Sequence, residues 1–156
     1  NPNNTKGTLK DALVNADVFI GVSQANQLTT EDVMTMNPQP IIFPLANPVP
    51  EISPEKAYKG GAGVVGTGRS DIPNQINNVL AFPGIFKGAL EIRARRITPR
   101  MKVAAAYAIA NCVTDLHRDQ IIPSTLDMNV ANVVAQAVKD AYLEDIKHME
   151  TPKHAL

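Results

Sequence analysis

The sequence of 156 residues is long enough to bury the core of one domain. Its 15 basic and 15 acidic residues cancel, so charge gives no general attraction to nucleic acid or to a membrane surface, and we expect neither as a partner. One cysteine, no signal peptide and no apolar run that could span a bilayer exclude an internal disulfide framework and favour a cytoplasmic protein.

Helix and strand signals alternate over the first half of the chain. Three short helices are predicted, each preceded by a Ser or Thr that can cap it, and they lie at 8–16, 29–36 and 53–60. Three short runs of mostly apolar residues follow them and predict buried strands at 17–22, 40–46 and 63–68. Because these runs are continuous rather than alternating, they favour parallel βαβ units with right-handed crossovers.

The second half of the chain reads as helical. One helix is predicted over 77–95 with an interruption near Pro83 and Gly84, and two more over 98–113 and 129–147. The fold class that results is α/β, a partial doubly wound parallel sheet with a helical carboxy-terminal cap.

Similar polar chemistry follows each predicted strand. The segments are "GVSQANQ", "LANPVPE" and "GTGRSD", in which Ser, Asn and Gln offer hydrogen bonds without charge and Gly allows close approach. Ligands of open α/β sheets bind beyond the carboxyl ends of the strands, so these segments suit a cofactor's ribose, pyrophosphate or carboxamide. The alternative is that Gly, Asn and Pro only make the turns that strand ends need.

An amide-rich segment, "RSDIPNQINNVLAFPG" at 69–84, runs directly into apolar sequence. Its amides suit either the wall of a binding pocket or the capping of a helix start, and capping is the simpler explanation for Asn74 and Asn77. Arg69 and Asp71 are expected to hold the loop in shape, as an ion pair with each other.

Candidates for acid–base or metal chemistry are few. The three histidines form no metal-ligand spacing, and we expect them to be solvated: His117, His148 and His154. Cys112 is expected to pack in the core, and Asp71 and Asp127 to cap or form turns. The glycines of "GGAGVVGTG" lead into a strand instead of following one, so the phosphate-binding fingerprint is absent.

A basic cluster lies around the junction of the predicted helices 77–95 and 98–113 and extends into both. It is expected to be a solvated helix face, with a phosphate or interface patch as the alternative: Lys87, Arg93, Arg95, Arg96, Arg100 and Lys102.

Several blocks in this order resemble the carboxy-terminal half of bacterial-type malic enzymes. They are "DVFIGVS", "PIIFPLANPVPEISPEKA", "VVGTGRSDIPNQINNVLAFPGIFKGALEIRA" and "MKVAAAYAIA". The resemblance covers nearly the whole chain and weakens toward the last helix. It implies the carboxy-terminal portion of a Rossmann-type NAD(P)-binding domain over 1–156, with a βαβ part at roughly 1–76 and a helical part at 77–156.

The resemblance implies oxidation of L-malate with NAD or NADP and its decarboxylation to pyruvate with Mg²⁺ or Mn²⁺. It places Asn47 and Asn78 against malate's carboxylate and hydroxyl or the nicotinamide carboxamide. Ser23 and Asn77 are expected beside the cofactor. No catalytic residue and no metal ligand is expected in this chain, because the family's lie upstream of the matching blocks.

The expected partners are therefore malate or pyruvate, the amino-terminal half of the enzyme, and further copies in a homo-oligomer. The chain begins at Asn1 without Met, as a piece of a longer protein would. Two alternatives stay open: a non-catalytic chain that self-associates through an uncovered sheet edge, and part of a malolactic enzyme, which converts malate to lactate.

Overall fold

Three parallel strands form the sheet that organises the first half of the chain. The computed structural model describes the backbone of residues 6–150 and the side chains of residues 6–147. Within it, β1 (Val18–Gly21), β2 (Ile41–Pro44) and β3 (Val64–Val65) pair in the order β1-β2-β3, and both pairs are parallel. The predicted α/β class with a parallel sheet is confirmed.

Three short helices alternate with these strands: α1 (Leu9–Leu13), α2 (Thr30–Met34) and α3 (Pro54–Lys59). The side chains of Thr8, Thr29 and Ser53 accept hydrogen bonds from the backbone three residues on, so all three predicted N-caps are confirmed. The first helix is shorter than the sequence suggested. It ends before Asn15, whose φ of 59° is incompatible with a continuing α-helix.

The core of this half lies on one face of the sheet. Register places Phe19, Ile42 and Val65 side by side, and all three are buried. The opposite face of β1 differs from the prediction of a strand buried on both sides, since Val18 is 46% and Ile20 is 63% exposed. The reason is positional: β1 is an edge strand among the described residues, and its second face has no cover within them.

The second half is a helical assembly. A 3₁₀ turn (Asn78–Leu80) precedes α4 (Phe82–Glu91), α5 (Pro99–Ala110) and the long α6 (Met128–Glu150). Both α4 and α5 pack against α6. The chain divides into two compact units: the first comprises residues up to 76 with 117–120, and the second comprises 77–116 with 121 onward.

The predicted interruption of the helix at Pro83 and Gly84 is wrong. They lie in the first turn of α4. Backbone N–H groups in the first turn have no partner within the helix, so a proline there removes no helical hydrogen bond. Gly84 is needed for packing, because a Cβ there would lie 2.5 Å from the Cβ of Val134 in α6.

Helix α5 is capped by Thr98 as predicted, but it ends at Ala110. Cys112 therefore lies just beyond the helix end. No helix in the part of the chain that the structure describes is long and apolar enough to cross a membrane.

Candidate functional site

The carboxyl ends of the strands open onto a cleft in the first unit. Because the strands are parallel, the loops after β1, β2 and β3 leave the sheet at the same edge. The cleft has a volume of about 260 Å³ and is formed by the loops after β2 and β3. Its lining comprises Pro44, Ala46, Asn47, Pro48, Pro50, Thr67, Gly68, Arg69, Ser70, Asp71 and Gln75.

Asn47 lies in the lining of this cleft, with an exposed side chain. Ser23 is also exposed and follows β1, but it is not part of the lining. Both residues belong to the first unit, whereas Asn77 and Asn78 belong to the second. In the lining of the cleft, Asn47 lies together with Gly68 and Arg69 of the loop after β3.

Glu51 is a site residue that the sequence patterns did not single out. It is 0% exposed, and its carboxylate accepts hydrogen bonds from the backbone N–H groups of Ser23 and Ala46. These two groups follow β1 and β2, so Glu51 joins two of the strand-end loops. The available signal was its isolation, because no charged residue occurs between Asp32 and Glu51.

Arg69 and Asp71 form the ion pair that the sequence predicted. The guanidinium donates from Nε to Oδ1 at 2.9 Å and from Nη2 to Oδ2 at 2.6 Å. These hydrogen bonds raise the pKa of Arg69 and lower the pKa of Asp71, with a smaller contribution from their opposite charges. Both residues line the cleft, and the predicted ion pair is confirmed; its role in holding the loop in shape stays a prediction.

The amide side chains of the 69–84 segment differ in their burial and their hydrogen-bond partners. The prediction that Asn74 caps a helix start is wrong: its side chain is buried and donates to the carbonyls of Val65 at 3.0 Å and Arg118 at 2.8 Å. Asn77 does cap, accepting a hydrogen bond from the N–H of Val79 at 3.0 Å. Asn78 begins the 3₁₀ turn, and its side chain is exposed.

Cys112 and Asp127 line a second cavity, of about 820 Å³, within the second unit. The Cys112 thiol packs beside the core and donates to the carbonyl of Ala108 at 3.2 Å. Burial raises the pKa of this thiol, and the charge of Asp127 adds to the effect. Asp127 directly precedes α6 and accepts from the N–H of Asn129 at 2.9 Å, so the prediction that it caps or forms a turn is confirmed as a cap.

The remaining polar candidates lie at the surface. His117 is exposed, whereas the side chain of His148 and the whole of His154 lie outside the described residues. All six members of the basic cluster are exposed, as predicted, and Arg100 pairs with Glu144 and Asp145 of α6. Among residues 6–147, no three His, Cys, Asp or Glu side chains are grouped so that they could hold a metal ion.

Comparison with known proteins identifies the relatives of this chain. The family model described as malic enzyme, NAD binding domain, matches residues 3–142. A bifunctional malic/malolactic enzyme of Bacillus subtilis is 57% identical over 92% of this chain and 36% of its own length. An NAD-dependent malic enzyme of Geobacillus stearothermophilus is 55% identical over 90% of this chain and 30% of its own length.

The fold agrees with the same relatives. The crystal structure of a malic enzyme from Pyrococcus horikoshii superposes with a TM-score of 0.88 at 49% identity, covering 92% of this chain and 34% of that one. The chain thus spans about a third of the length of the relatives it matches.

Proposed function

This chain belongs to the malic enzyme family, in its NAD-binding domain, and we propose that it is part of an enzyme that converts L-malate to pyruvate. The observation that carries the proposal is the family match over residues 3–142. Within that enzyme, residues 1–156 form the carboxy-terminal portion of a Rossmann-type NAD(P)-binding domain. The βαβ part ends near residue 76, and the helical part follows it.

The strand-end cleft is the proposed binding edge for NAD or NADP. Its volume of about 260 Å³ suits one portion of a dinucleotide rather than the whole, since pockets for small-molecule ligands measure roughly 300–1,000 Å³. Asn47 and Asn78 are proposed to hydrogen-bond malate or the nicotinamide carboxamide, and Ser23 and Asn77 to face the cofactor. Support comes from the position of Asn47 in the cleft and from the exposure of Asn78 and Ser23.

The chemistry supplied by this chain is orientation. NAD(P), when bound, would supply the hydride acceptor, whereas Asn47 and Asn78 offer donors and acceptors that do not change charge. The described residues hold no grouping that fits Mg²⁺ or Mn²⁺. Separately, we propose on the family resemblance that the metal ligands and the acid–base residues lie in the amino-terminal half of the enzyme. We also propose a homo-oligomer located in the cytoplasm.

The test is malate-dependent reduction of NAD and of NADP, tried separately, by the full-length protein that contains this chain. The assay contains Mn²⁺, and EDTA replaces it in the control. We expect NADH or NADPH to form together with pyruvate, and the faster cofactor identifies the preference. A folded full-length protein that reduces neither cofactor contradicts the proposal.

A second candidate function is malolactic conversion, favoured by the name of the Bacillus subtilis relative. In that case malate yields lactate without net reduction of the nicotinamide. Measuring lactate and pyruvate in the same reaction separates the two activities.

A third candidate is a non-catalytic chain that self-associates through an uncovered sheet edge, favoured by the position of β1 at one edge of the described sheet. The isolated 156-residue chain then shows a mass that rises with concentration, and Ile20→Lys lowers that association.

A further inference from the structure

Glu51 holds together two loops that leave the sheet at the proposed binding edge. Its Oε1 accepts the N–H of Ser23 at 2.9 Å, and its Oε2 accepts the N–H of Ala46 at 3.0 Å. The side chain is 0% exposed and contributes no atom to the lining of the cleft. It therefore has no route to a ligand in that cleft except through the backbone it binds.

Main-chain hydrogen bonds extend the same connection. The carbonyl of Glu51 accepts the N–H of Leu28 at 3.0 Å, and the carbonyl of Pro50 accepts the N–H of Asn26 at 3.1 Å. The loop after β1 is thus bound along its length to the segment that carries Glu51. The side chain adds the link back to the start of both loops.

The sequence leaves space for this carboxylate at one position. A Cβ at Gly21, the last residue of β1, would lie 2.5 Å from the carboxyl carbon of Glu51. Any side chain there would displace the carboxylate. Gly21 thus leaves room for the carboxylate where β1 ends.

A carboxylate is the group that these two donors require. Both of its oxygens accept, so each N–H receives a partner. Glutamine has nearly the same shape but offers one acceptor, and its NH₂ would face the second N–H donor. The replacement leaves one buried backbone N–H without a partner, which loosens one of the two loops.

We propose that Glu51 is a positioning residue of this enzyme, which sets the places of Asn47 and Ser23 by fixing the backbone beside each. This inference rests on the proposed function, because it concerns the same site. Ala46 directly precedes Asn47, and Ser23 is bound through its own N–H, so a shift of either loop moves a proposed ligand-binding side chain. A misplacement of about 1 Å can lower turnover by roughly 100-fold.

The first test compares Glu51→Gln with wild type in the full-length enzyme, using kcat/KM for malate. We expect a decrease of about 10- to 100-fold, as for a displaced orienting group. The matched control is Glu55→Gln, an exposed glutamate in the first turn of α3, which is expected to match wild type. Wild-type activity in Glu51→Gln overturns the proposal, whereas an inactive wild type contradicts the proposed function instead.

A double-mutant cycle separates positioning from general stabilisation. If Glu51 acts through Asn47, then Glu51→Gln added to Asn47→Ala lowers kcat/KM by much less than it does alone. Losses that are fully additive both with Asn47→Ala and with Ser23→Ala overturn the proposal, because they mean that Glu51 acts on turnover by another route.

Hydrogen exchange provides a readout that does not depend on activity. In Glu51→Gln we expect faster exchange in peptides covering 22–28 and 45–50, with the helices of the second unit unchanged. Unchanged exchange in both loops overturns the proposal. If Glu51→Gln does not fold, Glu51→Asp replaces it, since it keeps two acceptor oxygens on a side chain one methylene shorter, and the same outcomes apply.

Discussion

At the scale of single residues, neighbouring amides in one segment have opposite surroundings. Asn74 is buried and bound to two carbonyls, whereas Asn78, four residues on, is exposed at the start of a 3₁₀ turn. The first arrangement supports the fold, and the second leaves an amide free to meet a ligand. The two residues therefore yield different predictions.

Asn78→Ala is expected to lower kcat/KM for malate by roughly 100-fold in the full-length enzyme, because an orienting hydrogen bond is lost. Steady-state kinetics with saturating cofactor measure the effect. Asn132→Ala is the matched control: Asn132 is an exposed residue of α6 that accepts a hydrogen bond from Lys87. Near-normal turnover in Asn78→Ala would assign Asn78 to the turn alone.

Asn74→Ala is expected to destabilise the protein without removing any proposed binding group. Two carbonyls lose their hydrogen-bond donor, and each loss lowers the free energy of unfolding by about 1 kcal/mol. Alanine at a φ of 58° lowers it by about a further 1–2 kcal/mol. Urea unfolding of the full-length protein should show a loss of about 3 kcal/mol. Asn132→Ala serves again as control, with a free energy of unfolding within about 0.5 kcal/mol of wild type. Equal stability of the two variants contradicts a stabilising role for the hydrogen bonds of Asn74.

At the scale of elements, two glycines set how closely α4 approaches α6. A Cβ at Gly84 would meet the side chain of Val134, and a Cβ at Gly88 would meet the backbone carbonyl of Ala135. Glycines four residues apart lie on one face of a helix, so both contacts belong to a single seam. The backbone contact is the more demanding one, because no rotamer change relieves it.

Gly88→Ala is therefore expected to lower the free energy of unfolding, although alanine favours a helix by about 1 kcal/mol. Overpacking costs about 1–3 kcal/mol, and a contact with backbone atoms belongs to the upper part of that range, so we expect a net loss of about 1–2 kcal/mol. Thermal melting measures it. Gly68→Ala is the control, since a Cβ there meets nothing within 4 Å. A stabilised Gly88→Ala variant would contradict the claim that Gly88 is needed for the close approach of α4 to α6.

The cap of α2 predicts a dependence on pH. Burial raises the pKa of Asp32, but hydrogen bonds from Thr29 and the nearby Lys10 outweigh it, so the pKa lies below its ordinary value of 3.8. The carboxylate therefore contributes stability that is present above that value and is lost as pH falls through the folded-state pKa.

The difference in unfolding free energy between wild type and Asp32→Asn should accordingly stay constant from pH 7 to 5 and shrink below about pH 4. Urea unfolding at each pH measures it. A difference that grows as the pH falls contradicts a lowered pKa for Asp32 in the folded protein.

Local signals account for the parts of the fold that the sequence predicted. The caps at Thr8, Thr29 and Ser53 each bond to a residue three positions on, so the pattern is visible in the sequence. Glu51 and Asn74 bond to backbone groups 28 and 44 residues away, which no local pattern reveals. The end of α5 at Ala110 was also missed, because Cys112 continues the apolar spacing beyond the helix.

At the scale of the molecule, the chain spans about a third of the length of three malic enzymes that it resembles. The face of β1 that carries Val18 and Ile20 has no cover within the described residues. We propose that this chain supplies to the enzyme the strand-end edge at which cofactor and malate bind.

Hydrogen exchange of the full-length enzyme, with and without NADH and malate, tests this proposal without any substitution. We expect slower exchange in peptides covering 22–28, 45–50 and 66–71 when the ligands are bound, with α6 unchanged. Ligand-dependent protection that spares all three segments contradicts the assignment of the binding site to this edge.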